Sequence, residues 1–122
     1  MQRIIVDTSV LWDMDALARL EPLGRKAILP AVAFTERARQ LHRVGRPVGE
    51  LWDIVAWAGL EVEPFMPQHG LRIAARLDDL AWRRHARDAF IAGHAEDEDV
   101  LWTKTPRDFL AMGLRKEQVL AV

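Results

Sequence analysis

Five short runs of strand-forming residues punctuate this chain, and each gap between them carries helical patterning. The runs are RIIVD (3–7), KAIL (26–29), LEVEPF (60–65), DVLWT (99–103) and QVLAV (118–122). Between them the spacing predicts a helix over about 10–19, N-capped by Thr8 or Ser9. A second helix has Pro30 in its first turn and runs to Gly45, and a third covers 50–59 and ends at Gly59. Residues 68–86 read as helical, 87–95 as a further helical unit, and 106–112 as a short helix with Pro106 at its first position. Strands that alternate with helices build a parallel sheet covered on both faces. The expected fold is therefore a three-layer α/β/α domain with a central parallel sheet of four or five strands. Ligands of such sheets bind outside the carboxyl ends of the strands.

Composition narrows the class. The 122 residues fit one domain, 1–122, and the balance of 50% apolar to 29% charged residues is that of a soluble globular protein. The chain has no cysteine, which excludes disulfides and thiolate metal sites and leads us to expect the cytoplasm. No apolar run approaches the ~18 residues of a membrane span. The net charge of −1 does not itself call for nucleic acid, yet 14 of the 17 basic residues are Arg. Arg grips phosphate in two-pronged fashion where Lys does not, although a GC-rich genome yields the same bias.

The first run ends in an acid, Asp7, followed at once by Thr8 and Ser9. A carboxylate at the end of a buried strand costs free energy unless something pairs with it. Asp7 either caps the next helix or holds a ligand. Three more acids stand where a polar residue needs a reason. Glu36 lies on the second helix, on the side away from the stripe Phe34, Ala38 and Leu41; Asp88 opens DAFIAGHA; Asp108 follows DVLWT. Each has an ordinary reading as a solvated or dipole-favouring helix residue. Together they differ, because the fold brings strand ends and helix starts to one edge.

The local patterns resemble a known family. IIVDTSVLW resembles the opening of PIN-domain nucleases, whose first strand ends in Asp-Thr/Ser-Ser/Asn. LPAVAFTERAR is similar to their second motif, RDAFIAGHA to their third and LWTKTPRDF to their fourth. The four motifs arrive in family order and span residues 4 to 109. The length is similar to that of VapC toxins of prokaryotic toxin–antitoxin pairs. The resemblance carries Asp7, Glu36 and Asp88 onto the family's acids. Asp108 fits the later Asp of the fourth motif, while Thr105 stands where the family often has Asn or Asp.

This resemblance implies a metal-dependent endoribonuclease. Carboxylates without His or Cys suit Mg2+ or Mn2+. The expected ligands are Asp7 and Asp88 directly, with Glu36 and Asp108 directly or through water. Ser9, Thr103 and Thr105 are the expected supporting hydroxyls. Arg37, Arg39 and Arg43 after Glu36, and Arg83, Arg84 and Arg87 before Asp88, are the candidate RNA-binding residues. The implied partners are an RNA (tRNA or rRNA among the candidates), a cognate antitoxin, and further copies of the chain as a homodimer or larger homo-oligomer. A catalytically inactive PIN fold that binds RNA or protein is the alternative, and Thr105 keeps it open. A phosphoacceptor receiver domain fits poorly: DTS lacks its acidic pair and LEVEPF lacks its Asp. Two further expectations concern side chains outside the site. Trp52 and Trp57 are expected in the core, any surplus apolar surface there serving a dimer or antitoxin contact. EDED (96–99) is expected to be a solvated loop.

Overall fold

The computed structural model describes residues 2–122. Its strands are β1 (Ile4–Val6), β2 (Ala27–Pro30), β3 (Leu60–Glu63), β4 (Val100–Thr103) and β5 (Val119–Ala121). Its α-helices are α1 (Met14–Ala18), α2 (Leu20–Leu23), α3 (Ala31–Arg43), α4 (Gly49–Ala58), α5 (Pro67–Arg76), α6 (Asp79–Ala92) and α7 (Pro106–Leu110). Short 3-10 turns cover Thr8–Trp12 and Lys116–Gln118.

The strands form one parallel sheet in the order β3-β2-β1-β4-β5. Ile4, Ile5 and Val6 are each at most 1% exposed. Successive strand residues point to opposite faces, so burial of all three means that β1 is covered on both sides. The chain steps outward from β1 to β2 and β3, then returns to the other side of β1 for β4 and β5. That reversal opens a crevice beyond the carboxyl ends of β1 and β4. Val6 pairs with Trp102, which sets Asp7 beside Thr103 there. The fold is thus the expected α/β class, with five strands.

The elements depart from expectation in four places. First, the segment after β1 starts as a 3-10 turn, and its α-helix begins only at Met14. The cap is Asp13, whose carboxylate accepts the Ala16 N–H at 3.0 Å. Thr8 and Ser9 do not cap, because their hydroxyls are turned to Glu36 and Asp7. Second, the long helical stretch has an additional break at Leu77, besides the expected one near residue 86. Asp78 caps α6 by accepting the Ala81 N–H at 2.8 Å, and α6 then bends at His85, which has φ −131° and ψ 28°. Third, Trp52 and Trp57 are 57% and 56% exposed. Leu51 and Val55, one turn apart on α4, fill the core from that helix. Fourth, EDED is not wholly solvated. Asp99 is 2% exposed and accepts hydrogen bonds from the backbone and guanidinium of Arg3 and from the Glu96 N–H.

Candidate active site

Asp7 leaves β1 and starts the 3-10 turn, with 4% of its surface exposed. Its backbone N–H donates to the Trp102 carbonyl at 3.0 Å. Its carboxylate caps nothing. Instead Oδ2 accepts two hydroxyls, Ser9 Oγ at 2.7 Å and Thr103 Oγ1 at 2.8 Å. Each hydroxyl is itself oriented by a backbone N–H of the loop after β4. Lys104 N–H donates to Ser9 Oγ and Thr105 N–H to Thr103 Oγ1, both at 3.0 Å. The Thr105 hydroxyl lies 3.3 Å from that of Thr103. Of the three expected supporting hydroxyls, Ser9 and Thr103 bond Asp7 and Thr105 touches only Thr103. Among the described residues Oδ1 has no hydrogen-bond donor.

The other three acids converge on Asp7 from different elements. Glu36 comes from α3 and receives a long hydrogen bond from Thr8 Oγ1 at 3.4 Å, while Arg87 Nη1 lies 3.7 Å away. Asp88 comes from α6, three residues past the bend at His85, and Asp108 from α7. Burial pushes the Asp88 carboxyl up to about 6, and the neighbouring charges of Asp7, Asp108 and Glu36 push the same way. Burial also raises Glu36, opposed by Arg87 and reinforced by Asp7. Among the described residues no Lys or Arg nitrogen lies within 4.0 Å of Asp7, Asp88 or Asp108. Like charges are gathered and partly desolvated, and only Glu36 has a cation, Arg87, within 4.0 Å among the described residues. Hard oxygen donors in that state suit a hard divalent cation.

The basic residues expected to face a substrate divide. Arg39, Arg43 and Arg87 line a cleft with Glu36, Thr35 and Gln40. Arg83, Arg84 and Arg87 line a second with Glu36, His85 and Asp88. The two clefts share Glu36 and Arg87, so cationic walls flank the acids on both sides. Arg37 is the correction. It is 4% exposed, and its guanidinium lies against the ring of Trp12 and not in either cleft. Its position on α3 turns it to the buried side with Ala33 and Leu41.

A second polar cluster was not anticipated from the sequence. Glu63, His69 and His94 place one ligand atom each within 4.8 Å of one another, and among the described residues no other group of three acids, His or Cys is that close. Asp7, Glu36, Asp88 and Asp108 are therefore more widely spaced. The hydrogen bonds argue against metal at the His pair. His69 Nδ1 accepts the Met66 backbone N–H at 2.8 Å, so its proton sits on Nε2, 3.2 Å from Glu63 Oε1. His94 Nδ1 lies 2.7 Å from the same oxygen, and Arg3 Nη1 lies 2.9 Å from Glu63 Oε2. Burial holds both imidazoles below their ordinary range. His94 and Arg3 thus hydrogen-bond a single carboxylate, with the His69 ring beside it. Arg3 and His94 are separated by 91 residues, and no local motif marks such a network.

No family model matches the chain, and no curated protein matches its sequence. Among solved structures it is similar to a chain of the crystal structure of DNA-bound VapBC from Salmonella typhimurium. The TM-score is 0.72 at 19% identity, with 99% of this chain and 98% of that chain covered. At that identity the likeness shows the fold, and the expected PIN-like α/β/α architecture is the one present.

Proposed function

We propose that this chain is a PIN-type endoribonuclease that depends on Mg2+ or Mn2+, and the toxin of a VapBC-type toxin–antitoxin pair. The observation that carries the reading is the set of mutually repelling, partly buried carboxylates at the β1/β4 crevice, with arginines beside Glu36 and Asp88. Asp7 and Asp88 would hold the cation directly, with Glu36 and Asp108 directly or through water. A bound divalent cation supplies Lewis-acid polarisation of a phosphoryl oxygen and lowers the pKa of a coordinated water. The chain's own part is positional and electrostatic. Ser9 and Thr103 fix Oδ2 of Asp7 and leave Oδ1 for a ligand. Arg39, Arg43, Arg83, Arg84 and Arg87 would hold phosphates on either side of the cleaved bond without reading sequence. The similar VapBC structure supports an antitoxin as partner. A homodimer or larger homo-oligomer belongs to the same reading.

The test is cleavage of single-stranded RNA and of a tRNA pool with Mg2+, Mn2+ or EDTA, comparing the wild type with Asp7→Asn and Asp88→Asn. Metal-dependent cutting lost in both variants is the expected result. Cutting that survives both variants sinks the assignment. One observation favours the second reading, an inactive RNA- or protein-binding module: Thr105 brings a hydroxyl, bonded to Thr103, where a further carboxylate would strengthen cation binding. Calorimetry with Mn2+ separates the two, since an inactive site binds weakly and is insensitive to Asp7→Asn.

A further inference from the structure

We propose that Trp12 is a stacking platform for one unpaired nucleobase of the substrate strand, an inference that rests on the nuclease reading above. Trp12 is 54% exposed although it is an indole. Beneath it lies the guanidinium of Arg37, 2.9 Å from the ring centroid. Arg37 is 4% exposed, and its Nε and Nη1 have no hydrogen-bond partner among the described residues. No carboxylate of the described residues lies within 4.0 Å of it either. Burying a guanidinium without an acceptor is costly. The contact this one does make is with the face of Trp12, a cation–π pair. Arg37 therefore holds the ring in place from one side and leaves the other side to solvent.

The location fits a base of the strand being cut. Trp12 ends the 3-10 turn that starts one residue after Asp7. At a rise of about 2 Å per residue the two are roughly 10 Å apart, within a few nucleotides along a strand. Arg37, the brace beneath the ring, follows Glu36 directly on α3, although the two side chains leave the helix on different sides. A ring already immobilised loses little freedom on stacking. Stacking tolerates any base but needs an exposed π-face, so the ligand class is a single strand or an unpaired loop, not a duplex.

The test measures affinity for an oligouridylate of about eight nucleotides, with Ca2+ in place of Mg2+, and for a series in which one abasic residue is moved along the same oligomer. Trp12→Ala is expected to weaken binding about 5- to 100-fold, Trp12→Phe to retain most of it, and Trp12→Leu to behave like Ala while keeping apolar bulk. Wild type should lose affinity at one abasic position, and Trp12→Ala should lose that sensitivity. Equal affinity of wild type and Trp12→Ala would overturn the platform. If that variant instead loses self-association or antitoxin binding, Trp12 is a protein contact. A wild type that binds no oligomer sinks the nuclease reading itself, and the platform with it.

Discussion

Asp88 shows how a residue to which the proposed function gives cation binding works against the fold that carries it. Its carboxyl titrates at about 6 in the folded chain against 3.8 ordinarily, through burial first and then Asp7, Asp108 and Glu36. A carboxyl raised on folding is most favourable to the folded state below its unfolded pKa, and that contribution is lost as pH rises toward 6. At neutral pH the penalty is on the order of 2–3 kcal/mol. Asp88→Asn removes the ionised group and is expected to stabilise the metal-free protein by about 1–2 kcal/mol at pH 7, less than the full penalty because the amide must still be hydrogen-bonded. Thermal melts in EDTA check this, with little difference expected at pH 4. Mn2+ should raise the melting temperature of the wild type and leave the variant where it was. A variant less stable than wild type at pH 7 would mean that Asp88 is already compensated within the chain.

At the scale of elements, the site depends on how the loop after β4 is tied across the 3-10 turn after β1. Lys104 donates its backbone N–H to Ser9, which holds Asp7, and its ammonium pairs with Asp13. Asp13 also caps α1 through its other oxygen. One carboxylate thus sets the end of the turn, the start of a helix and the position of the loop. Lys104→Met separates positioning from simple electrostatics, because the two have opposite signs. Removing a cation near an acidic site should tighten Mn2+ binding if charge alone matters. If the pair positions Ser9 and Asp7, binding should weaken, by about tenfold. Asp13→Asn, which keeps the cap, is expected to weaken it as well, and the double variant to lose no more than either single one. Calorimetric Mn2+ affinities decide the sign, and additive losses would rule out a shared pathway.

The same scale shows what a sequence discloses. β1, β2 and β4 were legible because an interior parallel strand is apolar at every position, and Asp7 stood out because it breaks such a run. The acids Glu36, Asp88 and Asp108 needed the motif order, since each alone reads as an ordinary helix residue. The break at Leu77 was hidden by apolar positions that continue at helical spacing from Ile73 through Leu77 and Leu80, although Asp78 is a good cap. Trp52, Trp57 and Arg37 were misplaced for one reason. Which side of a helix faces the core depends on the neighbours it packs against, and large apolar or charged character alone does not fix it.

At the scale of the molecule, the network around Glu63 ties distant parts of the chain together through residues other than the four acids. Arg3 precedes β1, Glu63 ends β3, His69 lies on α5, His94 follows α6 and Asp99 precedes β4. Burial holds both His below their ordinary range. Against its burial, Glu63 is held low by the His94 hydrogen bond and by Arg3. For a His whose folded pKa is depressed, the unfolded chain binds the extra proton first. Its stabilising contribution is therefore present above about 6.5 and is lost as pH falls below that value. Glu63 adds a loss at lower pH, as protons reach a carboxylate the fold prefers ionised. This slope is opposite in sign to that of Asp88, so the two must be separated by variants. His94→Gln keeps an N–H donor for Glu63 but cannot titrate. It is expected to cost about 1 kcal/mol at pH 8 and to flatten the fall in stability between pH 6.5 and 5. Urea unfolding across that range, on wild type and variant in the Asp88→Asn background, isolates the effect. Parallel pH curves for the two proteins would show that His94 takes up its proton as readily in the folded chain as in the unfolded one, so that the acid limb belongs to other groups and the network is a fixed brace with no pH dependence of its own.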